Sequence, residues 1–127
     1  MKQMIFLLFI LAVGCSSTRN KANDDTVVTS SEKTDSIPAC ILEKIEMFKS
    51  EARQNPPRKV YSYVYKGQKV YYVTPPCCDF FSELFDSNCV LIANPDGGFT
   101  GRGDGKLPDF LSARTEEKLV WEDTRKQ

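Results

Sequence analysis

Tyr61-Ser-Tyr-Val-Tyr-Lys-Gly-Gln-Lys-Val-Tyr-Tyr-Val73 alternates in character on both sides of Lys66-Gly67-Gln68. Strand side chains point to opposite faces in turn, and glycine supplies the positive φ that a tight turn requires. The stretch therefore predicts a β-hairpin with arms over Val60 to Tyr65 and Lys69 to Val73. Tyr61, Tyr63, Tyr65, Val70 and Tyr72 fall on one face, and Val60, Ser62, Val64, Tyr71 and Val73 on the other. The second set is smaller and more aliphatic, so it is expected to meet a helix. The tyrosine face then becomes a candidate binding surface, because tyrosine combines apolar area with a polar tip. The plainer reading, that cross-strand aromatic pairs stabilise the sheet, carries more weight.

The helix is found upstream. Ile37, Ile41, Ile45, Phe48 and Ala52 recur at helical spacing, with Glu43, Glu46, Lys49 and Arg53 on the opposite side. Asp35 or Ser36 can cap it, Pro38 suits its first turn, and Asn55-Pro56-Pro57 ends it. Downstream, Asp79 to Phe85 reads as a short helical turn burying some of its phenylalanines. Cys89 to Ala93 reads as a buried strand, Leu107 to Ala113 as a turn or short helix, and Lys118 to Glu122 as the closing strand. The expected fold is α+β: one N-terminal amphipathic helix on a three- to four-stranded antiparallel sheet, stapled by disulfides.

Two further features carry candidate chemistry. Asp96-Gly-Gly-Phe-Thr-Gly-Arg-Gly-Asp-Gly105 has the glycine density of a loop in which backbone turns tightly or closely approaches a ligand. Its spacing fits neither a phosphate loop nor a calcium loop. Asp96, Phe99, Arg102 and Asp104 join Tyr61, Tyr63, Tyr65 and Tyr72 as the candidate binding surface, since loops on a rigid scaffold are where binding sits. Cys40, Cys77, Cys78 and Cys89 are the disulfide candidates. Of the three pairings, the one joining Cys77 to Cys78 is strained and leaves Cys40 with Cys89; the two that join Cys40 to one member of the adjacent pair and Cys89 to the other are favoured. A zinc site would want Cys-x-x-Cys spacing, and a redox-active adjacent pair is the weaker alternative to structural staples.

The chain of 127 residues has Lys+Arg 17 against Asp+Glu 17 and no histidine. One domain is expected, with no nucleic-acid partner, metal or cofactor. Without imidazole there is no Ser-His-Asp or Cys-His catalysis, and the protein reads as a non-enzyme. A carboxylate enzyme using Asp79, Glu83, Asp96 or Asp104 is the minor alternative.

The N-terminus reads as an address. Ile5-Phe-Leu-Leu-Phe-Ile-Leu-Ala-Val13 is an apolar run too short for a helix to span a bilayer core of about 30 Å. It fits the core of a secretory signal. Ala12-Val-Gly-Cys15 resembles the lipobox of bacterial lipoproteins, which implies cleavage before Cys15 and lipidation of its thiol. Residues 1–14 are thus the expected signal peptide, residues 15–36 the lipidated cysteine and a polar tether, and residues 37–127 the domain. Ser16, rather than Asp, follows Cys15, so the expected location is the outer membrane or cell surface rather than the inner membrane.

The set Cys40-Ile-Leu-Glu-Lys-Ile45, Asn55-Pro-Pro-Arg58, Pro76-Cys-Cys-Asp79 and Pro95-Asp-Gly-Gly-Phe-Thr-Gly101, with the hairpin, resembles a family of small lipoproteins from Bacteroidota that share a domain of unknown function. That resemblance implies a compartment and a domain, and no reaction. The expected role is a membrane-anchored module of the cell envelope that binds an envelope protein or peptide. A structural envelope lipoprotein without a discrete ligand is the runner-up.

Overall fold

The computed structural model describes residues 36–126. The signal peptide, Cys15, the tether and the Asp35 cap lie outside the described residues. The elements follow in the order α1 (Ala39–Ser50), β1 (Lys59–Tyr65), β2 (Gln68–Val73), β3 (Glu83–Asp86), β4 (Leu91–Ala93), α2 (Phe110–Ala113) and β5 (Thr115–Glu122). The five strands form one antiparallel sheet in the order β4-β3-β2-β1-β5. The hairpin is as the alternation predicts, with Val60 opposite Val73 and Tyr65 opposite Gln68. Lys66 and Gly67 both take positive φ, 49° and 77°, as a two-residue turn between twisted strands requires.

The aliphatic face of the hairpin meets the helix. Ile41, Ile45 and Phe48 of α1 are buried against Val60, Tyr71, Val73 and Phe85, with Trp121 stacked on Phe48 at 6.0 Å. Pro38 stands at the N-cap in place of Ser36, and its carbonyl accepts the N–H groups of Ile41 and Leu42. The helix stops at Ser50, well before the prolines, and Ala52 is exposed.

Arg125 marks that end. Its Nη1 donates to the carbonyls of Lys49 (2.8 Å) and Glu51 (3.0 Å), and its Nη2 to that of Phe48 (3.0 Å). A cation on the last carbonyls of a helix opposes the negative end of its dipole. Asp123 holds Arg125 in place through two charge-assisted bonds, 2.8 and 2.7 Å, so the segment after β5 is tied to the end of α1. The Arg125 guanidinium draws the Asp123 carboxyl down to about 2. A carboxyl whose folded-state pKa is depressed stabilises the fold above the ordinary carboxylate range, and that contribution fades as pH falls toward about 2. Arg125→Ala is therefore expected to lower stability at neutral pH. The gap to the parent protein should narrow as pH falls from about 4 to 2, as read by urea unfolding across that range. A gap that stays constant with pH would refute the clamp.

The downstream expectations need correcting. The chain from Glu83 to Asp86 is strand, not helical turn: Leu84 joins the tyrosine side of the sheet and Phe85 the helix side. Cys89 to Ala93 is not one buried strand. Asp86 Oδ1 accepts the N–H groups of Asn88 and Val90, which turns the chain at Asp86-Ser87-Asn88 and leaves a short edge strand with only Ala93 buried. The unforeseen strand β3, paired between β2 and β4, raises the sheet to five strands.

That hairpin also sets the disulfides. Cys40 bonds to Cys89, and Cys77 to Cys78, in place of the favoured cross-pairing. β2 carries the chain away from the start of α1 and leaves Cys77-Cys78 beyond Val73, whose partner Val60 packs near Phe48 at the other end of the helix. β3 runs back, and the turn after Asp86 returns Cys89 to the helix start. There the Cys40 N–H donates to the Cys89 Sγ at 3.3 Å.

Candidate functional site

The tyrosines are not a surface. Tyr63, Tyr65 and Tyr72 are buried with Val70 and Leu84 beneath Phe110, the first residue of α2, and only Tyr61 is partly open. Their hydroxyls are spent inside the fold. Tyr63 donates to Glu117 (2.8 Å), Tyr65 to Asp109 (2.7 Å), and Tyr72 to both carboxylate oxygens of Asp96 (2.9 and 2.7 Å). Burial foremost, and then the bond to Asp96, pushes the Tyr72 phenol up; burial and then Glu117 do the same at Tyr63. The Arg114 guanidinium covers this layer, 4.5 Å from the Tyr63 ring centre. Four residues that the sequence reading did not single out, Asp109, Phe110, Arg114 and Glu117, thus close the second face of the sheet.

Asp96 and Asp104 anchor the glycine loop. Asp96 is fixed by Tyr72 and by Ser82, whose Oγ accepts the Asp96 N–H at 3.1 Å and whose N–H donates to the Asp96 carbonyl. Asp104 accepts the N–H of Lys106 and that of Asn94, both at 3.0 Å. Those bonds, the one to Lys106 foremost, hold its carboxyl below the ordinary range. The close approach that the glycines permit is to the chain itself. Gly97, at φ 82°, lies against the Phe80 carbonyl, and Gly98, at φ 70°, against the edge of the Phe81 ring, where a side chain would collide. The Gly98 N–H donates to that same Phe80 carbonyl at 3.2 Å.

The loop is thereby clasped to Phe80 and Phe81, and this knot presents what the tyrosines do not. Phe99 is 94% exposed, Phe80 63% and Phe81 49%, three rings on two mutually bonded segments. The Cys77–Cys78 disulfide adjoins them, with the Phe80 N–H donating to the Cys77 carbonyl. Arg102 is also exposed on the loop. The expected helical turn over Asp79 to Phe85 buries some of its apolar side chains, and the structure buries Leu84 and Phe85 while leaving Phe80 and Phe81 outside; adjacency to Cys-Cys-Asp was the one hint of a loop.

Grooves also lie elsewhere on the sheet. One of about 360 Å³ on the helix side of the sheet is lined by Ser62, Tyr63, Val64, Lys69, Glu116 and Lys118. Another, of about 270 Å³, has Asp86 as its sole carboxylate. Neither brings two carboxyl groups together, as a hydrolytic pair needs. Glu83 is paired with Lys44 at 2.7 Å.

A helix on one face of a five-stranded antiparallel sheet, with an aromatic-tipped loop clasped at its side, defines a small α+β domain. Residues 46–123 match the model of a domain of unknown function (DUF6970), and the chain belongs to that family. No curated protein and no solved structure matches it. Among the described residues no helix is long and apolar enough to cross a membrane.

Proposed function

We propose that the protein is a lipid-anchored lipoprotein of the cell envelope, of the kind found in Bacteroidota. In this reading its domain binds an apolar segment of another envelope protein or peptide and does no chemistry of its own. The observation that carries the binding role is the cluster of Phe80, Phe81 and Phe99 on a hydrogen-bonded scaffold. Large apolar side chains exposed together on neighbouring segments mark contact sites. Rings held on a fixed loop bind with little ordering cost, because both backbone segments are already pinned. The anchor rests on Ala12-Val-Gly-Cys15, and Ser16 favours the outer membrane or the cell surface. One acyl chain alone gives only marginal membrane binding, so a stable anchor carries more than one.

Two measurements test this reading. Mass spectrometry of the native protein should find Cys15 N-terminal and acylated; a free Cys15 thiol would remove the anchor. The intact protein, solubilised from its own membrane, should co-purify with a stoichiometric partner. The double variant Phe80→Ala and Phe99→Ala should lose that partner by at least about tenfold, the cost of deleting central aromatic anchors. Full retention by the double variant would place binding elsewhere. Recovery of no partner at all would favour a structural envelope role.

A further inference from the structure

The two disulfides cannot do the same work. Cross-linking stabilises a fold mainly by shortening the unfolded chain's free loops, and the effect grows with the number of residues enclosed. Cys40–Cys89 has a sequence separation of 49 and ties α1 to the β3–β4 turn. Cys77–Cys78 has a separation of 1 and encloses no residue. Both of its cysteines sit in the single turn between β2 and β3, so the bond joins no two elements of the fold. As a staple it has nothing to hold.

Its surroundings suit reaction instead. Cys78 is exposed, in a run of exposed residues with Asp79 and Phe80, whereas Cys40 and Cys89 are half-buried beneath the helix start. Thiol–disulfide exchange requires a thiolate to reach a sulfur, and access separates labile bonds from inert ones. The turn is coupled to the aromatic knot as well: the Cys77 carbonyl accepts the Phe80 N–H, and the Phe80 carbonyl accepts that of Gly98.

We propose that Cys77–Cys78 is a thiol-exchange site whose co-substrate is a dithiol. One thiolate of the dithiol attacks the Sγ of Cys78, the more exposed residue of the pair. The bond between Cys77 and Cys78 breaks, and Cys77 departs as a thiolate that takes up a proton. The second thiol of the dithiol, deprotonated, then attacks the mixed disulfide and releases Cys78. Two electrons and two protons pass to the protein, and the dithiol leaves as its own disulfide. The reverse sequence re-forms the ring. The Cys40–Cys89 bond takes no part and keeps the domain folded.

The test is a titration of the folded full-length protein with dithiothreitol, followed by iodoacetamide trapping and peptide mass spectrometry. Cys77 and Cys78 should be alkylated at dithiothreitol concentrations at least about tenfold below those that open Cys40–Cys89. Co-titration of all four cysteines, or labelling of Cys40 and Cys89 first, would overturn the proposal. The double variant Cys77→Ser and Cys78→Ser keeps the long-range cross-link and should lose the low-concentration labelling altogether; labelling that survives would also overturn it. The labelling is read with no partner protein present. A failure of the partner-binding reading therefore leaves this result intact, and a failure here leaves partner binding untouched.

Discussion

Replacing Cys40 and Cys89 together by alanine is expected to lower the stability of the domain by about 4 kcal/mol, the chain-entropy value for a loop of roughly 50 residues. The bond spans a sequence separation of 49 and fixes the first turn of α1 to the turn between β3 and β4. At its other end the helix is held by Arg125 and by Phe48 stacked on Trp121. Cutting the cross-link therefore frees the helix start, where Ile41 and Cys40 meet the sheet. A domain of this size has a net stability of about 5–15 kcal/mol, so the variant should fold but unfold at much lower urea. The Cys77→Ser and Cys78→Ser variant is the built-in control. It removes a bond that encloses nothing and should stay within about 1 kcal/mol of the parent protein. A loss in the Cys40 and Cys89 variant as small as the control's, under about 1 kcal/mol, would mean that the helix is anchored by its core contacts alone and that the cross-link is redundant.

How much of this was legible in the chain depends on whether the deciding contact is local. The hairpin was readable because period-two alternation and Gly67 act within a few residues, and the aliphatic set Val60, Ser62, Val64, Tyr71 and Val73 does face the helix side. The fate of the other face was not readable. Whether Tyr63, Tyr65 and Tyr72 are surface or core depends on Phe110, from a distant segment, and on Glu117, Asp109 and Asp96 accepting their hydroxyls. Tyrosine suits both environments, so composition cannot choose between them. Which of Phe80, Phe81, Leu84 and Phe85 go inside was not readable either: apolar side chains are expected inside, and beyond the neighbouring Cys-Cys-Asp nothing local shows that β3 begins only at Glu83. The disulfide pairing failed with them. It turns on a hairpin that the Asp86-Ser87-Asn88 turn creates, and that signal was available but overlooked. The glycine density is readable as tight turns or as close approach to a ligand; the approach in the fold is to the chain's own backbone at Phe80 and Asn94.

Phe110→Ala should cost about 3–5 kcal/mol, the range for truncating a fully buried aromatic ring. Phe110 is the ring on which the tyrosine layer closes. It meets Tyr63 and Tyr65 edge-on at 5.8 and 5.4 Å, stacks on Tyr72 at 6.1 Å, and lies 5.6 Å from the Arg114 guanidinium. Its removal leaves a cavity beside three hydroxyls whose carboxylate partners lie on or beside the connection it pins, so the loss should extend beyond one ring's transfer free energy. Phe110→Leu, which keeps most of the volume, should cost less than about 1.5 kcal/mol. The contrast with Phe99→Ala separates structure from recognition. Phe99 is 94% exposed, so its truncation should leave stability within about 0.5 kcal/mol while weakening partner capture. Phe110→Ala should lower both, because the glycine loop is seated on this layer through the bond from Tyr72 to Asp96. Urea unfolding of the three variants alongside the parent protein decides the matter. A Phe110→Ala loss below about 1 kcal/mol would mean that α2 does not cover the sheet in solution, and the tyrosine face would then return as the candidate contact surface.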